Sequence, residues 1–178
     1  AGAINMWYDR DIDLQMSRTM NRPLPAGRMQ PGPALAFGII MACAAVLSMG
    51  YYVNLMSAAL LLVTILYYVF VYTVWLKRLT PQNVVIGGVS GALPPVVGWA
   101  SVTGSIDSGA LSLFLIIFLW TPPHSWALAL YRRGDYEAAG VPMLPVAAGV
   151  QATKRQMAYY TALLLPVTLI PVAIGLSG

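Results

Sequence analysis

The chain has 178 residues, of which 58% are hydrophobic and only 9% charged, with a mean hydropathy of +0.71. Soluble domains carry about 25% charged residues, so the composition excludes an ordinary soluble domain and predicts an integral membrane protein. The net charge of +4 matters less than its placement: the ten Lys and Arg residues fall into three clusters separated by apolar stretches. No nucleic-acid partner is expected from this pattern.

The first informative stretch is Asn5-Met-Trp-Tyr-Asp9-Arg-Asp11-Ile-Asp13. Asn5, Asp9 and Asp13 are spaced i, i+4, i+8, which on a helix puts them on one face with a drift of only ~40° per step. Asp11 points to another side. One amide and two carboxylates at one-turn spacing offer oxygen ligands to a hard cation such as Mg²⁺, which takes one or two carboxylates plus substrate phosphates. The plain alternative is a helix end with acids facing water. It is weaker beside membrane-like segments, where boundary carboxylates are functional candidates. An EF-hand is excluded, because Leu14 and Met20 stand where Gly and Glu are needed.

Residues 14–33 are expected to be a polar loop in which Pro23, Pro25, Pro31 and Pro33 prevent a long helix. Five apolar stretches of membrane-spanning length follow, over 34–52, 55–76, 81–102, 110–130 and 156–176. The lone Cys43, in the first of them, reads as a buried small hydrophobe. The second ends in Tyr67, Tyr68, Tyr72, Trp75, Lys77 and Arg78, a composition suited to a membrane interface. Thr80-Pro81 is expected as N-cap and first residue of the third helix. There Gly87-x3-Gly91 should permit close packing, and Pro94-Pro95 should introduce a kink. The fourth holds Pro122, Pro123 and the only histidine, His124.

A second polar loop carries Arg132, Arg133 and Asp135, and its continuation over 135–146 is too apolar for a simple linker. That segment is expected either to fold over a site as a lid or to rest on lipid. Counting spans puts loops 1–33, 76–80 and 131–155 on one side and turns 50–54 and 103–109 on the other. Every Lys and Arg lies on the first side, which the positive-inside rule makes cytoplasmic or its mitochondrial-matrix equivalent.

Acids and bases on one side favour a phosphorylated ligand. The carboxylates can hold Mg²⁺, while Arg18, Arg22, Lys77, Arg78, Arg132 and Arg133 can hold phosphate oxygens. Taken singly, each base is as readily a topology determinant or a contact to anionic lipid. Asp135 can supply a second metal site across the bundle. His124, ionisable within a span, is expected to face the interior; if its helix ran on through residue 135, the two would share a face ~16 Å apart.

Asn5-x3-Asp9-x3-Asp13 followed by Arg18-x3-Arg22-Pro-Leu resembles the first aspartate-rich motif of the UbiA-type intramembrane prenyltransferases. Leu76-Lys-Arg-Leu-Thr-Pro-Gln-Asn83, Gly91-Ala-Leu-Pro-Pro95, Trp120-Thr-Pro-Pro-His124, Trp126-Ala-Leu-Ala129 and Asp135-Tyr-x2-Ala-Gly-x-Pro-Met-Leu-Pro145 look, in order, like the members that farnesylate haem b. Ser125 and Gly134 depart from the usual aromatic and acidic residues. The resemblance implies an all-α polytopic transmembrane bundle, with residues 1–178 forming a single prenyltransferase domain. About five of the family's roughly nine spans would be present, flanking helices at both ends belonging to a longer parent. It further implies farnesyl diphosphate as donor, haem b as acceptor, and haem O and diphosphate as products. Asn5, Asp9, Asp13 and Asp135 would hold Mg²⁺. Arg18, Arg22, Lys77 and Arg78 would stabilise the leaving diphosphate, with Asp9, Asp13, Arg18 and Lys77 as the catalytic core. His124 would orient or ligate haem, and the bacterial inner membrane is preferred to the mitochondrial one. Two alternatives stay open: a quinone precursor or other aromatic as acceptor, and non-enzymatic binding or transport of a phosphorylated lipid.

Overall fold

The computed structural model describes residues 1–176, and among them the regular structure is entirely helical. Two short helices, α1 (Gly2–Tyr8) and α2 (Arg10–Asp13), precede α3 (Pro31–Tyr52). The second span begins as α4 (Leu55–Leu66) and continues without a break as a π-helical segment, Tyr67–Leu76. Then come α5 (Asn83–Thr103), α6 (Ser108–Tyr131), α7 (Arg133–Ala138), α8 (Leu144–Ala147), α9 (Gly149–Val167) and α10 (Ile170–Ala173). Among the described residues five helices are long and apolar enough to cross a membrane, the last running over Gly149–Ala173.

The centre of the bundle is α5. Of its most apolar window 44% of residues are buried, against 6–17% for the other four spans. It packs against α4 and the π segment on one side and α6 on the other, and α6 in turn meets α9. Most of the remaining large apolar side chains, such as Leu47, Tyr51, Leu55 and Val102, point outward. A water-soluble bundle would bury them; a helix solvated by lipid need not, since acyl chains are as apolar as leucine.

At the end of the bundle away from the acidic stretch, two side chains fix the turns. Asn54 caps α4 by accepting from the Ser57 N–H (2.8 Å), and its amide donates to the Ala100 carbonyl (2.8 Å), tying α4 to the end of α5. Asp107 caps α6, accepting from Gly109 N–H (2.9 Å) and from Trp99 Nε1 (3.0 Å). Both supply an acceptor to an orphaned helix N-terminus.

The structure corrects several boundaries. The third span starts at Asn83, because Thr80 Oγ1 accepts from Gln82 N–H within a turn rather than capping a helix at Pro81. Pro94 and Pro95 lie inside an unbroken α5. The fifth span starts at Gly149, so Lys154 and Arg155 belong to a helix and not to the loop. Cys43 is exposed. It lines an apolar groove of about 530 Å³ with Ile4, Trp7, Leu62 and Phe70. Segment 135–146 folds over the acidic stretch, as the lid expectation had it, and does not rest on lipid. Its Val141, Met143 and Leu144 are core residues packed with Ile12, Val84 and Trp126.

The close approach also falls elsewhere than expected. A Cβ on Gly87 would run into the Tyr72 ring, and one on Gly88 would lie 3.2 Å from Thr121 of α6, whereas Gly91 faces open space. The pair that matters is therefore Gly87 and Gly88. Gly87→Ala should cost about 1–3 kcal/mol of stability as overpacking, while Gly91→Ala should be near neutral; thermal unfolding of the purified protein checks the contrast.

Candidate functional site

The ladder forms as its spacing predicts. The backbone kinks slightly at Asp9, between α1 and α2, yet Asp9 N–H still bonds to Asn5 C=O (2.9 Å) and Asp13 N–H to Asp9 C=O (2.8 Å). These two bonds keep the three residues stacked. All three are buried, Asp9 completely.

A buried carboxylate must be neutralised by its neighbours. Asp9 is: Lys77 Nζ and Asn5 Nδ2 (2.7 Å) both reach its Oδ2, and Arg78 lies 3.3 Å from its Oδ1. Arg22 pairs with Asp13 Oδ2 at 2.9 Å. Arg78 also makes a two-pronged contact with Asp11, 2.7 Å on each oxygen, and its guanidinium stacks on Tyr8. The Arg78 hydrogen bonds hold the Asp11 carboxyl below the ordinary aspartate value, against the opposing effect of burial.

Asn5 and Asp13 of the ladder face a cavity of about 180 Å³, whereas the fully buried Asp9 is not part of its lining. Asn5, Asp13, Arg18, Arg22 and Lys77 give it a polar side; Tyr68, Tyr72, Met16, Tyr136, Val141 and Met143 close it. Two ladder oxygens, Asn5 Oδ1 and Asp13 Oδ1, accept no hydrogen bond among the described residues. Hard oxygen donors without protein partners, set beside guanidinium and ammonium groups, suit a divalent cation together with phosphate oxygens. Among the described residues no three His, Cys, Asp or Glu side chains converge on one point, so the ladder offers an amide and two carboxylates only.

The other expected site residues lie outside this cavity. Asp135 accepts from Ser17 Oγ (2.7 Å), which also receives a bond from Arg132 (3.2 Å). This trio sits at the rim, because its sequence neighbours Met16, Arg18 and Tyr136 line the cavity. Arg133 is exposed. His124 is exposed too, not interior, and stacks on Trp120 with ring centroids 5.1 Å apart. The shared face of His124 and Asp135 does not arise, because α6 ends at Tyr131 and the chain turns at Arg132.

Three residues escaped the sequence reading. Tyr68 and Tyr72, expected at the membrane interface, are cavity walls, their rings 5.5 Å apart. Thr73, fully buried, receives a hydrogen bond from Asn5 Nδ2 (3.2 Å). The available signal for Tyr72 and Thr73 was their position four or five residues ahead of Lys77 and Arg78, but which of them reach the ladder depends on the π-helical register.

The profile of the UbiA prenyltransferase family matches residues 1–178. The chain belongs to this family. Among its curated relatives, protoheme IX farnesyltransferase of Parvibaculum lavamentivorans is 59% identical over 178 residues, covering all of this chain and 56% of that relative. The protoheme IX farnesyltransferase of Azorhizobium caulinodans is 58% identical over 178 residues, covering all of this chain and 58% of the relative. Protoheme IX farnesyltransferase 1 of Mesorhizobium japonicum is 56% identical over the same length, covering 57% of the relative. The chain thus spans a little over half the length of the curated relatives it matches. No solved structure matches it. The family member is an integral membrane protein, with its two acidic motifs and the Lys77–Arg78 pair gathered at one end of the bundle.

The two ion pairs of Arg78 and Lys77 should behave differently. The exposed Asp11 pair contributes little, and Asp11→Asn should change stability by about 0–1 kcal/mol. Because the folded pKa of Asp11 is lowered, its contribution is complete above pH ~4 and fades as the pH falls through the lowered value. Lys77→Met strips the main cation from a buried carboxylate and should cost about 3 kcal/mol. Denaturation of both variants across a pH series checks the contrast.

Proposed function

We propose that this chain is the diphosphate-binding part of an enzyme that transfers a farnesyl group from farnesyl diphosphate to a vinyl group of haem b, giving haem O and diphosphate. The observation that carries the proposal is the small cavity in which Asn5 and Asp13 of the ladder meet Arg18, Arg22 and Lys77. The names of the relatives support the choice of donor and acceptor.

A divalent cation, Mg²⁺ in this proposal, would be held by Asn5, Asp9 and Asp13 and would neutralise the diphosphate and lower the cost of its departure. Asp135, one hydrogen bond from Ser17 at the rim, is the candidate ligand for a second ion. The chain's own residues do the rest. Arg18 and Arg22 grip phosphate oxygens in two-pronged fashion, Lys77 as a point charge. Arg78 keeps Asp9 and Asp11 in place, and Arg132 and Arg133 add positive potential at the rim. As the C1–O bond of the donor breaks, its electron pair leaves with the diphosphate, and these fixed cations stabilise the growing negative charge. Tyr68, Tyr72, Val141 and Met143 keep water from the allylic cation. A haem vinyl carbon forms the new C–C bond, and water then adds the hydroxyl and releases a proton.

His124 and the parallel Trp120 ring form a flat, aromatic-flanked nitrogen site on α6, suited to docking or ligating haem. The ladder end of the bundle lies on the cytoplasmic side of a bacterial inner membrane, as the one-sided distribution of Lys and Arg supports.

Asp9→Asn or Asp13→Asn should lower haem farnesylation by at least about 10²-fold while haem uptake stays within twofold. The assay is Mg²⁺-dependent conversion of haem b by the purified membrane protein, run in parallel with a quinone precursor. Unchanged turnover in either variant sinks the catalytic assignment. Farnesylation of the quinone precursor alone overturns the acceptor.

A further inference from the structure

We propose that Thr73 is the positioning residue that turns the Asn5 amide so that its carbonyl oxygen serves a divalent cation in the cavity. This rests on the reading of the ladder as a cation–diphosphate site.

The orientation of an amide follows from the demands of its partners. On one side Asn5 faces Asp9, whose carboxylate, paired with Lys77 and Arg78, can only accept. That edge of the amide must be its NH₂. On the other side stands Thr73, whose hydroxyl has a single hydrogen, committed to the Tyr68 carbonyl at 2.9 Å. Its oxygen is therefore left as an acceptor and takes the second Asn5 hydrogen at 3.2 Å. Both amide hydrogens are thereby used, and Oδ1 is the only group left to present to the cavity that Asn5 lines.

Thr73 has no solvent exposure, so water cannot replace it in this role. Its location depends on the π-helical segment. With bonds closing five residues apart, Thr73 Oγ1 reaches the Tyr68 carbonyl and Lys77 N–H the Tyr72 carbonyl (2.9 Å), which keeps Thr73 on the side of the ladder that Lys77 and Arg78 also reach. In an α-helix Thr73 and Arg78 would diverge by ~140°. The hydroxyl would then also bond four residues back instead of five.

The test is binding of Mn²⁺ to the intact protein in nanodiscs, followed by electron paramagnetic resonance with inorganic diphosphate present. Thr73→Val keeps the shape and removes the acceptor; Thr73→Ser restores it. Thr73→Val should weaken Mn²⁺ binding about tenfold, the usual cost of losing a group that orients a metal ligand, and Thr73→Ser should stay within about twofold of the wild type. Equal affinity in Thr73→Val and wild type overturns the proposal, as does a Thr73→Ser protein as weak as Thr73→Val. If the wild type binds Mn²⁺ and Asp9→Asn does not, such a result sinks the role of Thr73 alone. If the wild type shows no saturable Mn²⁺ binding, the cation reading of the ladder fails and the role of Thr73 falls with it.

Discussion

Asp9 has no access to solvent, and a carboxylate in that position has to be neutralised by groups the fold itself delivers. Three side chains converge to do so. Helix α1 contributes Asn5 from one turn earlier, and the end of the π-helical segment contributes Lys77 and Arg78 from nearly seventy residues away. The contact fixes the first acidic stretch against the second span at one depth and one rotation. Arg22, through Asp13, then folds the following turn region back over the ladder. What stabilises the fold and what equips the cavity are in this sense the same set of charges.

That economy has a physical logic for a membrane protein. Lipid-facing helices gain little from hydrophobic burial against one another, so polar contacts and close backbone approach decide which helices meet. The bundle uses both. Asn54 and Asp107 secure one end through caps that reach across to α5, while the ladder secures the other. Between them, Gly87 and Gly88 let α5 come close to the second span and to α6.

Much of this was legible in the sequence, for reasons that can be named. Long uncharged stretches gave the five spans, because length and hydropathy alone decide whether a helix can cross lipid. The i, i+4, i+8 spacing gave the ladder, since a helix face follows from periodicity. The basic residues that pair with it were identifiable by charge and topology. What stayed hidden depended on backbone register or on tertiary contact. Nothing in Tyr67–Leu76 announces a π-helix, and with α-helical spacing Tyr68, Thr73 and Arg78 diverge, so Thr73 looked like an ordinary span residue. Gly91 matched a packing motif by spacing, but which glycine meets a neighbour is set by the neighbour, here Tyr72. The turn at Arg132 separated His124 from Asp135 although each stood in a recognisable motif.

The wall made by Val141 and Met143 serves two regions at once: one side of it closes the cavity and the other belongs to the hydrophobic core with Ile12, Val84 and Trp126. Swinging this segment aside would expose Val141, Met143 and Leu144 together, at ~1.5–3 kcal/mol for each side chain. Such a wall is poor material for a gate. Traffic into the cavity is therefore cheapest along a path that leaves 141–144 seated.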